Sequence, residues 1–192
     1  CSLFLPAWYV AAVNFHPEMI PARLAWSISE AKLNVPFSTL FEVLIMLLAF
    51  EAVQEAGLRL PGPIGQTASI LGGLVVGSAA VEAAIVSPVV LIVVAIAGIA
   101  GYTVPSQEFS AALRIWRFLL VIGASLGGLF AVTALTAVLV GRLAQLESFG
   151  VPYLAPFAPG QGKDGYGVLR WPTHRVKFRE AILHTRNRRR QG

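Results

Sequence analysis

Three histidines, one cysteine and ten carboxylates are the side chains of this 192-residue sequence that could hold a metal or move a proton. Their spacing suits neither task. His16, His174 and His184 lie in polar segments, with no HExxH arrangement and no cysteine partner, so no metal site is expected. A lone Cys1 excludes a disulfide framework or a cysteine-rich metal site within the chain. A Walker A run is missing, and Gly123, Gly127 and Gly128 sit inside an apolar run where they serve helix packing. The chain reads as no enzyme, and no cofactor is implied.

The carboxylates that ask for an explanation are those in apolar sequence. Glu42, Glu51 and Glu55 fall in the segment 37–58. A carboxylate at bilayer depth is costly, so each has to face protein, water or a counter-ion, or be protonated. At 100° per residue Glu51 and Glu55 share a face, and Glu42 lies nearly opposite. Arg59, four residues beyond Glu55, has the favourable spacing for a pair. Glu51 and Glu55 therefore read either as a cation-attracting or proton-sensitive site, or as a structural pair with Arg59. Glu82, near the end of its helix on the bulkier side, is placed to snorkel toward the interface.

Between these acids lies a helix amphipathic in size rather than in polarity. Gln66, Ser69, Gly73, Gly77, Ala80 and Ala84 fall on one stripe, while Ile70, Leu71, Leu74, Val75, Val81 and Ile85 lie largely on the other side. Small residues let backbones approach closely in lipid, which makes the stripe a packing face. A narrow conduit needs the same residues, which makes Gln66, Ser69, Gly73, Gly77 and Ala80 pore-lining candidates. Spacing alone leaves both open.

These residues have to be positioned by membrane segments. The hydrophobic fraction is 56% and the charged fraction 13%, about half that of a soluble domain, and the mean hydropathy is +0.69. The expected fold is all-α, a polytopic helical membrane bundle over 1–141 followed by a polar, basic C-terminal tail over 142–192. Within the bundle, the sequence before Asn14 reads as the second half of a truncated first span, with a preceding domain missing. Residues 16–36 read as an interfacial segment with Trp26 at headgroup level. Further membrane segments are expected over 37–58, 64–84, 89–104 and Phe118–Val140, with a connection from Tyr102 to Arg117. The tail region 141–192 holds 10 of the 15 Lys and Arg. Its Arg186, Arg188, Arg189 and Arg190 are candidates for lipid headgroups rather than nucleic acid, because anionic lipid is already adjacent to a tethered tail. Their charge favours a cytoplasmic C-terminus.

Seven runs in order carry a resemblance. They are His16-Pro-Glu-Met-Ile-Pro21, Val35-Pro-Phe37, Phe50-Glu51 with Glu55 to Pro61, Gly65-Gln66 with Ser69-Ile70, Ala79 to Ala83, Val86-Ser-Pro88, and Phe149 to Leu154 with Ala158-Pro159. Together they resemble the A subunit of GerA-type spore germination proteins, from Cys1 to about Pro159.

The resemblance implies an integral protein of the spore inner membrane in an endospore-forming bacterium. It implies a nutrient germinant receptor with B and C subunits, A-subunit homo-oligomers and ligand-gated release of cations. The rival readings are a non-conducting scaffold that transmits the signal, and a secondary transporter. Two departures, Ile45-Met-Leu-Leu48 ahead of Phe50-Glu51 and Ser78 where a Gln is usual, remove polar groups from membrane segments. With both ends expected on one side, the five segments have to include one that does not cross, and 37–58 is the candidate.

Overall fold

The computed structural model describes residues 1–59, 63–104, 106–148 and 150–154. The fold is built of helices. In chain order they are α1 (Leu5–Phe15), a 3₁₀ turn (Pro17–Met19), α2 (Ala22–Lys32), α3 (Thr39–Leu58), α4 (Pro63–Glu82), α5 (Pro88–Gly101) and α6 (Gln107–Gln145). The chain separates into a unit of residues 1–136 and a unit from Ala137 on. In the second unit, the end of α6 is followed by a two-residue antiparallel ladder, Glu147–Ser148 with Val151–Pro152. The basic tail, including Arg186, Arg188, Arg189, Arg190, His174 and His184, lies outside the described residues.

Local chemistry sets the helix ends. Pro88 opens α5, where its fixed φ suits the first turn and its missing N–H costs nothing. Just past the end of α4, Ala84 takes a φ of 53° and reverses the chain, while Ala84 N–H and Ile85 N–H bond back to Val81 and Ala80 carbonyls. This is a left-handed helix stop made by Ala where Gly is usual.

The core of the first unit is aliphatic. Ala7, Val10 and Ala11 of α1, Val43, Met46 and Leu47 of α3, Val90 and Val94 of α5, and Leu120, Val121 and Ala124 of α6 are all buried in it. Large apolar side chains also face outward: Leu74 is 67% exposed, Trp26 76% and Phe130 82%.

The single span expected over Phe118–Val140 is corrected by α6. The helix begins earlier, at Gln107, so most of the expected connection is helical. At Gly127 and Gly128 the backbone leaves helical geometry, and Gly128 takes φ 58° and ψ −145°. A Cβ on Gly123 would lie 3.9 Å from the Ala131 Cβ, although eight residues of straight helix rise about 12 Å. The chain therefore turns back on itself, giving arms over 107–126 and 129–145. Only glycine fits Gly128, since a Cβ there would be strained and 3.1 Å from Phe15. Among the described residues, the stretch Glu108–Gln145 is the one helix long and apolar enough to cross a membrane, and 67–82 and α5 are shorter apolar helices. At 14 residues α5 extends about 21 Å, short of a ~30 Å hydrocarbon core.

Candidate functional site

The small-residue stripe of α4 faces into the first unit, and its large residues face out. Ser69 is buried, and its hydroxyl donates to the Val53 carbonyl of α3 at 3.2 Å. A Cβ on Gly73 would stand 3.2 Å from the Phe50 ring, and one on Gly77 would stand 2.5 Å from Leu91 Cδ1 of α5. Gly57 of α3 is closer still, because a Cβ there would run into Ser69 Oγ and lie 2.7 Å from the Gly65 carbonyl. Ala80 is half-buried against the core. Gln66 lies in α4.

Where α4 stands off from α5 there is a crevice of about 380 Å³. Ser69 and Gly73 line it from α4, Phe50 and Gln54 from α3, and Leu91 and Gly98 from α5. It is apolar apart from Gln54, Ser69 and Tyr102. The structure thus brings Ser69 and Gly73 to one cavity and packs Gly77 against Leu91.

Glu51 and Glu55 do share a face, and the partner that spacing could not reveal is Arg114 of α6. Its Nη1 lies 2.5 Å from Glu51 Oε1, as an ion pair without hydrogen-bond alignment, and 3.5 Å from Glu55 Oε2. Arg59 holds the other Glu55 oxygen at 3.1 Å, the expected i, i+4 pair. Nearby, the buried Arg117 donates to Ser2 Oγ at 2.6 Å. Glu82 ends α4 and is exposed. His16 Nδ1 lies 3.3 Å from Glu18 Oε1, and no group of acids, histidines or cysteines that could hold a metal occurs among the described residues.

The charge to which the sequence assigned no partner is Glu42, which is fully buried. Its Oε2 accepts the backbone N–H of Ser87 at 2.9 Å, at the start of α5. A carboxylate there is favoured by the positive end of the helix dipole. Lys32 Nζ of α2 lies 3.7 Å from Glu42 Oε1 and also donates to Thr39 Oγ1. Burial pushes the Lys32 ammonium below the usual lysine range, and the Glu42 charge partly restores it. The available signal was that Glu42 stands alone on its face of α3, opposite the pair that has a visible arginine.

Comparison with known proteins gives a consistent picture. Residues 1–187 match the family described as Bacillus/Clostridium GerA spore germination protein. The chain is 45% identical over 175 residues to an uncharacterized membrane protein, YfkQ, of Bacillus subtilis (strain 168), covering 90% of this chain and 34% of that protein. It is 42% identical to spore germination protein B1 of the same organism, over 93% of this chain and 37% of that one. It is 40% identical to spore germination protein GerLA of Bacillus cereus, over 97% and 38% respectively. The chain spans a little over a third of the length of these relatives. No solved structure shows a significant match.

Proposed function

We propose a function from the premise that the chain belongs to the GerA family of spore germination proteins: it is the membrane region of the A subunit of a nutrient germinant receptor. It acts in the spore inner membrane beside B and C subunits and further copies of itself, and it helps to release cations when a nutrient is sensed. Beyond the family, one observation carries the reading. α4 turns its smallest residues inward and leaves Ile70, Leu71, Leu74 and Val75 outside, the arrangement expected where the surroundings are as apolar as the side chains.

In this reading several segments cross the bilayer. The arms of α6 extend about 30 Å and about 25 Å, each near the thickness of a hydrocarbon core. Counting them separately, with α1, makes an even number of crossings without a re-entrant α3. The cation path runs along α4, and the crevice between α3, α4 and α5 is its starting point, since it holds Ser69 and Gly73. The basic tail, with Arg186, Arg188, Arg189 and Arg190, attaches to anionic headgroups. A non-conducting, signal-transmitting subunit is the second reading. It is favoured by the close packing of Gly73 and Gly77 on α3 and α5.

Single-channel recording of the full-length protein with its partner subunits in planar bilayers separates the two. Nutrient-dependent cation currents are expected. Signalling that persists in complexes that never conduct would overturn the channel reading and leave the scaffold.

A further inference from the structure

Neither reading above uses the groups gathered around Glu42. Three buried oxygens there have no hydrogen-bond partner among the described residues: Glu42 Oε1, Ser87 Oγ and the Tyr9 hydroxyl. Glu42 and Ser87 are both fully buried. The Tyr9 hydroxyl stands beside Ser87 and feels the Glu42 charge, so α1, α3 and the start of α5 direct oxygens at one place. A buried acceptor left without a partner is unfavourable, more so when it is charged, and three together at a carboxylate point to an occupant.

The chemistry narrows that occupant. An anion is excluded by the carboxylate. A divalent ion is poorly served, since Ca²⁺ takes six to eight oxygens and usually several carboxylates, and Glu42 is the one acid here. A neutral hydroxyl pair with a single carboxylate balances one positive charge. Such a charge is already close by: the Lys32 ammonium lies 3.7 Å from Glu42 Oε1, beyond hydrogen-bond range, and is anchored instead to Thr39.

We propose that Tyr9, Glu42 and Ser87 form a binding site for a partly dehydrated monovalent cation, and that the Lys32 ammonium is its tethered competitor. Lys32 belongs to the surface helix α2, and Glu42 and Ser87 to the core. Entry of a diffusible cation therefore releases the charge that ties α2 to α3, and docking of Lys32 expels the cation. The site stands on these contacts whether or not the protein conducts.

The test is thermal unfolding of the full-length protein in detergent, at fixed ionic strength, in KCl, NaCl or choline chloride. Choline screens charge equally but is too large to enter. Lys32→Met is expected to melt below wild type in choline and to recover in K⁺ or Na⁺ along a saturable curve. Its half-effect concentration should fall about tenfold below that of wild type, because the competitor is gone. Adding Glu42→Gln to Lys32→Met, a neutral pair that removes the buried charge, should abolish the difference between salts. Tyr9→Phe should weaken the cation response without removing it. Lys32→Met equally destabilised in all three salts would overturn the site and leave a water-bridged ion pair. A cation response unchanged by Glu42→Gln would also overturn it, by placing the ion elsewhere.

Discussion

Two adjacent helices of equal length, α3 and α4, are held in place by opposite means. α3 carries three carboxylates within its 20 residues and is located by charge: Glu42 by Lys32 and the start of α5, Glu51 and Glu55 by Arg114. α4 has one charge, at its exposed end, and is located by the absence of side chains, with Ser69, Gly73 and Gly77 against α3 and α5. The difference separates specificity from proximity. A buried charge accepts one partner and fixes a register. A glycine face accepts any close surface and fixes only a distance.

Breaking the charge side should have the largest effect. Glu42→Ala strands a half-buried ammonium and a helix-start N–H, and removing one member of a buried pair costs on the order of 3–5 kcal/mol. A fall in melting temperature and in subunit abundance in spores is expected, and an unchanged melt would mean that α3 is not held by this charge.

Next comes the packing side. Gly77→Leu drives a side chain into Leu91, and overpacking costs about 1–3 kcal/mol. Abundance should fall, and Leu91→Ala in the same chain should restore part of it. Normal abundance with altered cation leakage would instead favour the conduit reading of the stripe. Leu74→Ile, on the outward face, should do little to either quantity.

A smaller effect is expected at the other charges of α3. Glu51 and Arg114 side chains are each about one-fifth exposed, so Arg114→Met should cost on the order of 1 kcal/mol, less at high salt. Glu55→Gln should be the mildest. Glu55 lies at the exposed edge of the cluster, and its loss should leave the melting curve within error once salt is raised. A large Glu55 effect that resists salt would erase the distinction between the inner and outer carboxylates.

The helices were legible because punctuation and composition agree. Pro88 opens α5, and the expected segments 37–58 and 64–84 match α3 and α4 to within two residues. The pairing of Glu51 with Glu55 on one face was legible too, since helical geometry alone fixes it. Two features were not. The Gly127–Gly128 reversal sits in uninterrupted apolar sequence, where glycine pairs serve packing as readily as turning. Glu42 needs partners 10 residues before it and 45 residues after it, and no local period encodes such a meeting. The stripe of α4 was visible as a pattern, but what it touches depends on Leu91 and Phe50, each in another helix.

The contact between Ser87 and Glu42 also has a kinematic consequence. It closes a 45-residue stretch of chain into a loop with α4 as its outer limb. Just past the end of α4, Val86 and Ser87 are buried, and near its beginning Gly65 and Ser69 nest against Gly57. A rod secured near both ends cannot swing out as a lid. What remains is roll about its own axis and a short slide along its length, and a glycine-lined face offers the fewest side-chain obstructions to both. Any movement of α4 relative to its neighbours should therefore change the width of the crevice beside Gly73 while leaving its two ends in place.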